Sequence, residues 1–119
     1  MGELTLIVAR PGRLRDALSA LLATIPRLKI VGQAEDGPSA LKMVAERHPT
    51  LVLLDSTLPD DEVRAMLGQI KAKQPQTRCI VLAGNSRQQQ VAQHAGADEV
   101  LLKGYLTANL LTSIEKLLS

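Results

Sequence analysis

Three features of this sequence predict an α/β fold with a doubly wound parallel sheet. Five short apolar runs alternate with five longer stretches of helical spacing. The third run, Leu51-Val52-Leu53-Leu54, has no polar break, as expected of a central strand covered on both faces. Parallel strands need crossover helices, and right-handed crossovers put those helices on both sides of the sheet. At 119 residues the chain has the length of one domain, so residues 1–119 are read as a single unit.

The first strand is expected at residues 4–9, which are mostly aliphatic or β-branched, with Pro11-Gly12 punctuating its end. Leu14, Leu18, Leu21, Leu22 and Ile25 then fall on one face of a helix that Pro26 closes. Residues 30–34 form the second strand. Asp36-Gly37-Pro38-Ser39 turns into a helix, with Pro38 suited to its first turn. Ala40, Leu41, Val44 and Ala45 are that helix's inner face, and Pro49 follows its end. The third strand ends at Asp55, and Val63, Met66, Leu67 and Ile70 mark the next helix. Its first turn carries Asp60, Asp61 and Glu62, acidic residues that favour a helix start through its dipole. Residues 80–83 form the fourth strand, and Gly84-Asn85-Ser86 leads into a helix bearing Val91, Ala92 and Ala95, which Gly96 stops. Residues 100–102 form the fifth strand. Leu106, Leu110, Leu111, Ile114, Leu117 and Leu118 give the last helix the strongest periodicity in the chain.

Composition excludes several classes of function. The chain has no Phe or Trp and a single Tyr, Tyr105, so stacking of bases or sugars on aromatic rings is not its business. Net charge is only +2, and the tightest basic group, Arg10, Arg13 and Arg15, reads as a solvated face rather than a nucleic-acid footprint. Cys79 is the only cysteine and lies in an apolar run, so an internal disulfide and a cysteine metal site are both excluded. His48 and His94 fall on separate helices next to Pro49 and Gly96, and no nucleophile–His–acid set is present. No run reaches membrane-spanning length and no signal peptide is recognisable, so a cytoplasmic location without membrane contact is the default expectation.

In open parallel sheets ligands bind beyond the carboxyl ends of the strands. The residues to examine are therefore Ala9 and Arg10, the stretch 55–58, Ala83 and Gly84, and Lys103. On spacing alone Asp55 and Lys103, at the tips of two strands, form an ion pair, with Ser56 and Thr57 as loop hydrogen-bonders.

The strand-end motifs carry more. Leu53-Leu54-Asp55-Ser56-Thr57-Leu58-Pro59 and Gly96-Ala97-Asp98-Glu99-Val100-Leu101-Leu102-Lys103 both resemble signatures of the receiver domain of two-component response regulators. Val31-Gly32-Gln33-Ala34-Glu35-Asp36-Gly37 and Arg15-Asp16-Ala17-Leu18 look like the forms found in receivers joined to helix-turn-helix transcription domains. The resemblance covers nearly the whole chain without insertion. It implies a flavodoxin-like sheet of strand order 2-1-3-4-5. It implies that Asp55 stands where a histidine kinase phosphorylates the family, that Lys103 contacts the phosphoryl group, and that the Thr57 backbone carbonyl helps to hold Mg²⁺. Pro59 matches the proline of the same loop.

The departures are equally specific. The acidic pair that anchors Mg²⁺ in the family is replaced by Ala9 and Arg10, and the hydroxyl residue ending the fourth strand by Ala83. Val100 replaces the usual aromatic of the fifth strand, Gly104 the usual proline after the lysine, and Val63 a usual glycine. One carboxylate then faces two cations, a poor setting for a hard divalent ion that wants carboxylate oxygens. Arg10 is expected to stand where the metal would, paired with Asp55. No cofactor is expected, and Mg²⁺ enters only if the acceptor chemistry survives.

The expectation is a non-enzymatic, atypical receiver with impaired Mg²⁺-dependent phosphorylation, acting through protein contacts. Its partner or self-dimer surface would include residues 106–118, with no direct nucleic-acid binding by the domain. One alternative is an ordinary acceptor, modified at Asp55 by a histidine kinase and controlling transcription through an output domain outside this chain. Another is a pocket for a small anion at the loop amides near Gly84, helped by Arg10 and Lys103.

Overall fold

The computed structural model describes residues 2–118, and the side chains of residues 105–108, including the Leu106 expected in the last apolar stripe, lie outside the description. Five parallel strands, β1 (Glu3–Val8), β2 (Leu28–Ala34), β3 (Leu51–Asp55), β4 (Arg78–Ala83) and β5 (Glu99–Leu102), form one sheet in the order β2-β1-β3-β4-β5. The helices are α1 (Arg13–Ala23), α2 (Gly37–Arg47), α3 (Asp60–Lys73), α4 (Ser86–His94) and α5 (Leu106–Leu118), with a 3-10 turn at Lys103–Tyr105 before the last. The fold class and strand order are those expected.

Alternation along the strands divides the core in two. Leu6, Val8, Val52, Leu54, Cys79 and Val81 face α2, α3 and α4, packing on Ala40, Val44, Val63, Met66, Leu67, Ile70 and Ala92. Ile7, Ala9, Leu51, Leu53, Ile80 and Leu82 face α1 and α5, packing on Leu18, Leu22, Leu110 and Ile114. Every residue of β3 is buried, which accounts for its unbroken apolar run. Each such leucine contributes about 1.5–3 kcal/mol by leaving water. No helix among the described residues is long and apolar enough to cross a membrane.

Local signals set the boundaries. Asp36 caps α2 by accepting from the Ser39 amide at 2.8 Å, and Pro38 occupies its first turn. His48 closes α2 in the left-handed region (φ 45°), and Gly96 follows α4 at φ 104°. α1 stops at Ala23, short of the expected Ile25, because the Thr24 and Ile25 amides turn back to Leu21 and Leu22. β2 and β4 each begin two residues earlier than apolar character alone suggests, since ladder bonds tolerate the exposed Lys29 and Arg78.

β2 is an edge strand with a defect. Thr5 pairs with Ile30 but Leu6 with Gly32, so Val31 is bulged out of the ladder. The Val31 carbonyl accepts instead from the Arg47 guanidinium. A Cβ on Gly32 would collide with that same group.

At the far end of the sheet, Asp98 is a clamp. It accepts from the Cys79 amide at 2.7 Å, pairs with Lys71, and lies 3.6 Å from Arg78. Lys71 also donates to the Thr77 carbonyl at 2.7 Å. Burial pushes the Cys79 thiol up to about 12.

Candidate functional site

The chain turns from β2 back across β1 to β3, so the order of connection reverses between β1 and β3. Side chains just past these strands face the crevice that such a reversal opens. Val8 pairs with Leu54, which sets Ala9 beside Asp55 at the rim. Asp55 pairs with Leu82 of β4, and Leu82 with Leu101 of β5.

Lys103 lies two strands from Asp55, a span of roughly 10 Å at the usual strand spacing. Its long side chain crosses the end of β4, and Nζ meets Asp55 Oδ1 at 2.6 Å. The pair is sheltered, with side chains 8% and 27% exposed for Asp55 and Lys103. Thr57 completes the set: its amide donates to Oδ1 at 3.2 Å and its hydroxyl to Oδ2 at 2.9 Å. Both carboxylate oxygens therefore have donors from within the chain.

Arg10 does not pair with Asp55. It is exposed and makes no ion pair among the described residues, because Ala9, just past β1, turns inward and the next side chain turns to solvent. The cation near the lost acidic positions is Arg15, read from sequence as part of a solvated face. Its Nη1 lies 3.4 Å from the Ala9 carbonyl, while its Nε is buried with no hydrogen-bond partner among the described residues. The one signal for this was its place a single turn into α1, on the side that meets the strand end.

Ser56 is buried and its hydroxyl lies 2.7 Å from the Leu82 carbonyl. Ala83 is fully buried and brings only a methyl group to the end of β4. The acidic residues of α3 turn away from Asp55: Asp60 pairs with Arg87, Asp61 lies 3.5 Å from Arg64, and Glu62 accepts from the Gly37 amide at 2.7 Å. Sequence reasoning missed Gln88, whose Oε1 accepts from the Gly84 amide at 2.7 Å and lies 2.8 Å from Ser56 Oγ. The amide that an incoming anion would use is thus already engaged.

This arrangement fits a divalent cation poorly. No group of three Asp, Glu, His or Cys residues among the described residues is placed to hold a metal ion. Asp55, with its oxygens turned to Lys103 and Thr57, and the Thr57 backbone carbonyl are what the matching positions offer.

Comparison with known proteins bears on the fold and the family. The response regulator receiver domain family matches residues 6–115. The chemotaxis protein CheY of Listeria monocytogenes is 32% identical over 90 residues, 74% of this chain and 76% of CheY. The nitrate/nitrite response regulator protein NarL of Escherichia coli is 27% identical over 105 residues, 87% of this chain but 49% of NarL, so the chain spans about half of that regulator. In fold, a LuxR-family two-component response regulator from Aurantimonas sp. superposes with a TM-score of 0.83 at 22% identity, covering 99% of this chain and 86% of that one. The response regulator domain of Thermotoga maritima CheB gives 0.78 at 21% identity, covering 98% and 94%. A match over most of the chain, joined to the strand order and the Asp55–Lys103 crevice, establishes that this protein belongs to the family of response regulator receiver domains.

Proposed function

We propose that this receiver domain works as an atypical signalling module in which Mg²⁺-dependent phosphorylation of Asp55 is impaired and protein contacts carry the output. The observation that supports this best is the saturation of Asp55. Lys103 and Thr57 supply three donors to its two oxygens, and Ala9 and Arg10 add no carboxylate. A divalent cation would have to displace Lys103 while gaining no second carboxylate in return. The domain transmits signals rather than turning over a substrate.

One observation favours an ordinary acceptor, modified by a histidine kinase: Asp55 and Lys103 are both retained and lie side by side. Adding Mg²⁺ and a beryllofluoride phosphoryl mimic to the ¹⁵N-labelled domain separates the two readings. Amides at Asp55, Ala83 and Lys103 should not respond, whereas a CheY-type receiver run in parallel should. Saturable shifts reaching β5 in this chain, abolished by Asp55→Asn, would establish the acceptor instead.

The contact surface is assigned to the groove between the end of α1 and α5. It has a volume of about 460 Å³ and is lined by Ile25, Pro26, Arg27, Leu111, Ile114 and Glu115. Leu111, at 42% exposure, is the one large apolar side chain left open among the described residues. Leu111→Glu should abolish self-association or partner binding there. A wild-type chain that stays monomeric in light scattering at high concentration would remove self-pairing from this account. No direct contact with nucleic acid is assigned to the domain.

A further inference from the structure

Gly84 follows Ala83 at the carboxyl edge of β4, two residues past the register partner of Asp55. Its amide points into the crevice region where loop N–H groups ordinarily receive anions. Here that amide donates to Gln88 Oε1 at 2.7 Å. The same oxygen lies 2.8 Å from the Ser56 hydroxyl, which is also 2.7 Å from the Leu82 carbonyl. A hydroxyl has one proton, so Ser56 serves the two acceptors in turn or through a shared bond.

Helix capping accounts for only part of this. Asn85 caps α4 by accepting from the Gln88 amide at 2.8 Å. In a capping box the residue at Gln88's position would reach back to the cap residue's own N–H. Gln88 instead passes Asn85, takes the amide of the residue before it, and reaches a side chain on the loop after β3. The glycine is consistent with this approach. Its backbone is not in the left-handed region, so no conformational need dictates Gly84, yet a Cβ there would lie 3.2 Å from Gln88 Oε1.

We propose that Gln88 is an autoinhibitory plug: its side-chain oxygen occupies the Gly84 amide and, through Ser56, latches the first turn of α4 to the loop after β3. A tetrahedral oxyanion entering beside Lys103 must displace it, and release of Gln88 frees α4. The inference rests on the receiver reading of the crevice, but not on whether Asp55 can be phosphorylated.

The test uses the ¹⁵N-labelled chain as wild type, Gln88→Ala and Gln88→Glu, with inorganic phosphate as the probe. Glu keeps an acceptor oxygen but adds a charge that repels phosphate, so it serves as the rescue for Gly84 exchange alone. Loss of the bond in Gln88→Ala should speed hydrogen exchange at Gly84 about tenfold, as expected for one net hydrogen bond. The Gly84 resonance should then shift saturably at phosphate concentrations about tenfold below any that affect wild type, while Gly84 exchange in Gln88→Glu stays at the wild-type rate. Equal Gly84 exchange and phosphate response in wild type and Gln88→Ala would overturn the plug. So would faster exchange spread evenly along α4 with no phosphate response, which would leave Gln88 as a helix cap. The beryllofluoride experiment reports on Asp55 separately, so failure of one reading is distinguishable from failure of the other.

Discussion

Replacing Lys103 by Met removes the charge that faces Asp55 while keeping most of the apolar stem. Removing one partner of a fully buried ion pair costs about 3–5 kcal/mol, because the other charge is left uncompensated. Two features reduce that figure here. The Lys103 side chain is 27% exposed, so water screens part of the attraction, and Asp55 keeps both Thr57 donors. A loss of roughly half, ~2 kcal/mol, is therefore expected for Lys103→Met. For a chain of this size that corresponds to a fall in Tm of about 6–10 °C. Far-UV circular dichroism in urea is the suitable assay, since the chain has no Trp and one Tyr. Adding Asp55→Asn to Lys103→Met removes the orphaned charge and should restore more than half of the lost stability. If the two substitutions add to within ~0.5 kcal/mol, the pair carries no coupling and Asp55 is not held by Lys103.

Three further outcomes are expected. Ala9→Asp with Arg10→Asp should tighten Mg²⁺ binding at Asp55 at least about tenfold, or ~1.4 kcal/mol, seen as amide shifts in a Mg²⁺ titration. The Ser39 amide, by donating to Asp36, holds that carboxyl below its usual range. The cap is therefore fully present above the ordinary carboxylate pKa of about 4 and fades as pH falls through the lower folded value. The Ser39 resonance should follow that titration, and Asp36→Asn should flatten it. Cys79 is fully buried with its thiol raised to about 12, so a thiol reagent at neutral pH should label it only at the rate of global unfolding.

The sequence revealed the frame more readily than the crevice. Periodicity and Pro/Gly punctuation located all ten elements because one-sided or two-sided burial imposes its repeat directly on the residues. Asp55 and Lys103 were legible because polar residues that end apolar runs mark strand tips. Arg10 misled because adjacency in sequence says nothing about which way a side chain turns once a strand ends, and Ala9 took the inward place. Arg15 and Gln88 were overlooked for a related reason. Each reaches its partner from a helix packed beside the crevice, and such contacts exist only after the helices dock. Asp98, part of a family signature, proved to be structural, satisfying the Cys79 amide and Lys71 below the sheet.

The Val31 bulge bears on how copies of this protein meet. An exposed strand edge is a template on which another chain can extend the sheet. On β2 that row is interrupted: Val31 is out of register and its carbonyl is covered by Arg47, a guanidinium that lies close only because Gly32 has no side chain. A charged, kinked border of this kind disfavours strand addition and the fibrous aggregation that follows from it. Of the two edges of the sheet, β2 is thus the one closed to strand addition, which leaves β5 and the helical faces as the surfaces this protein offers to a second copy.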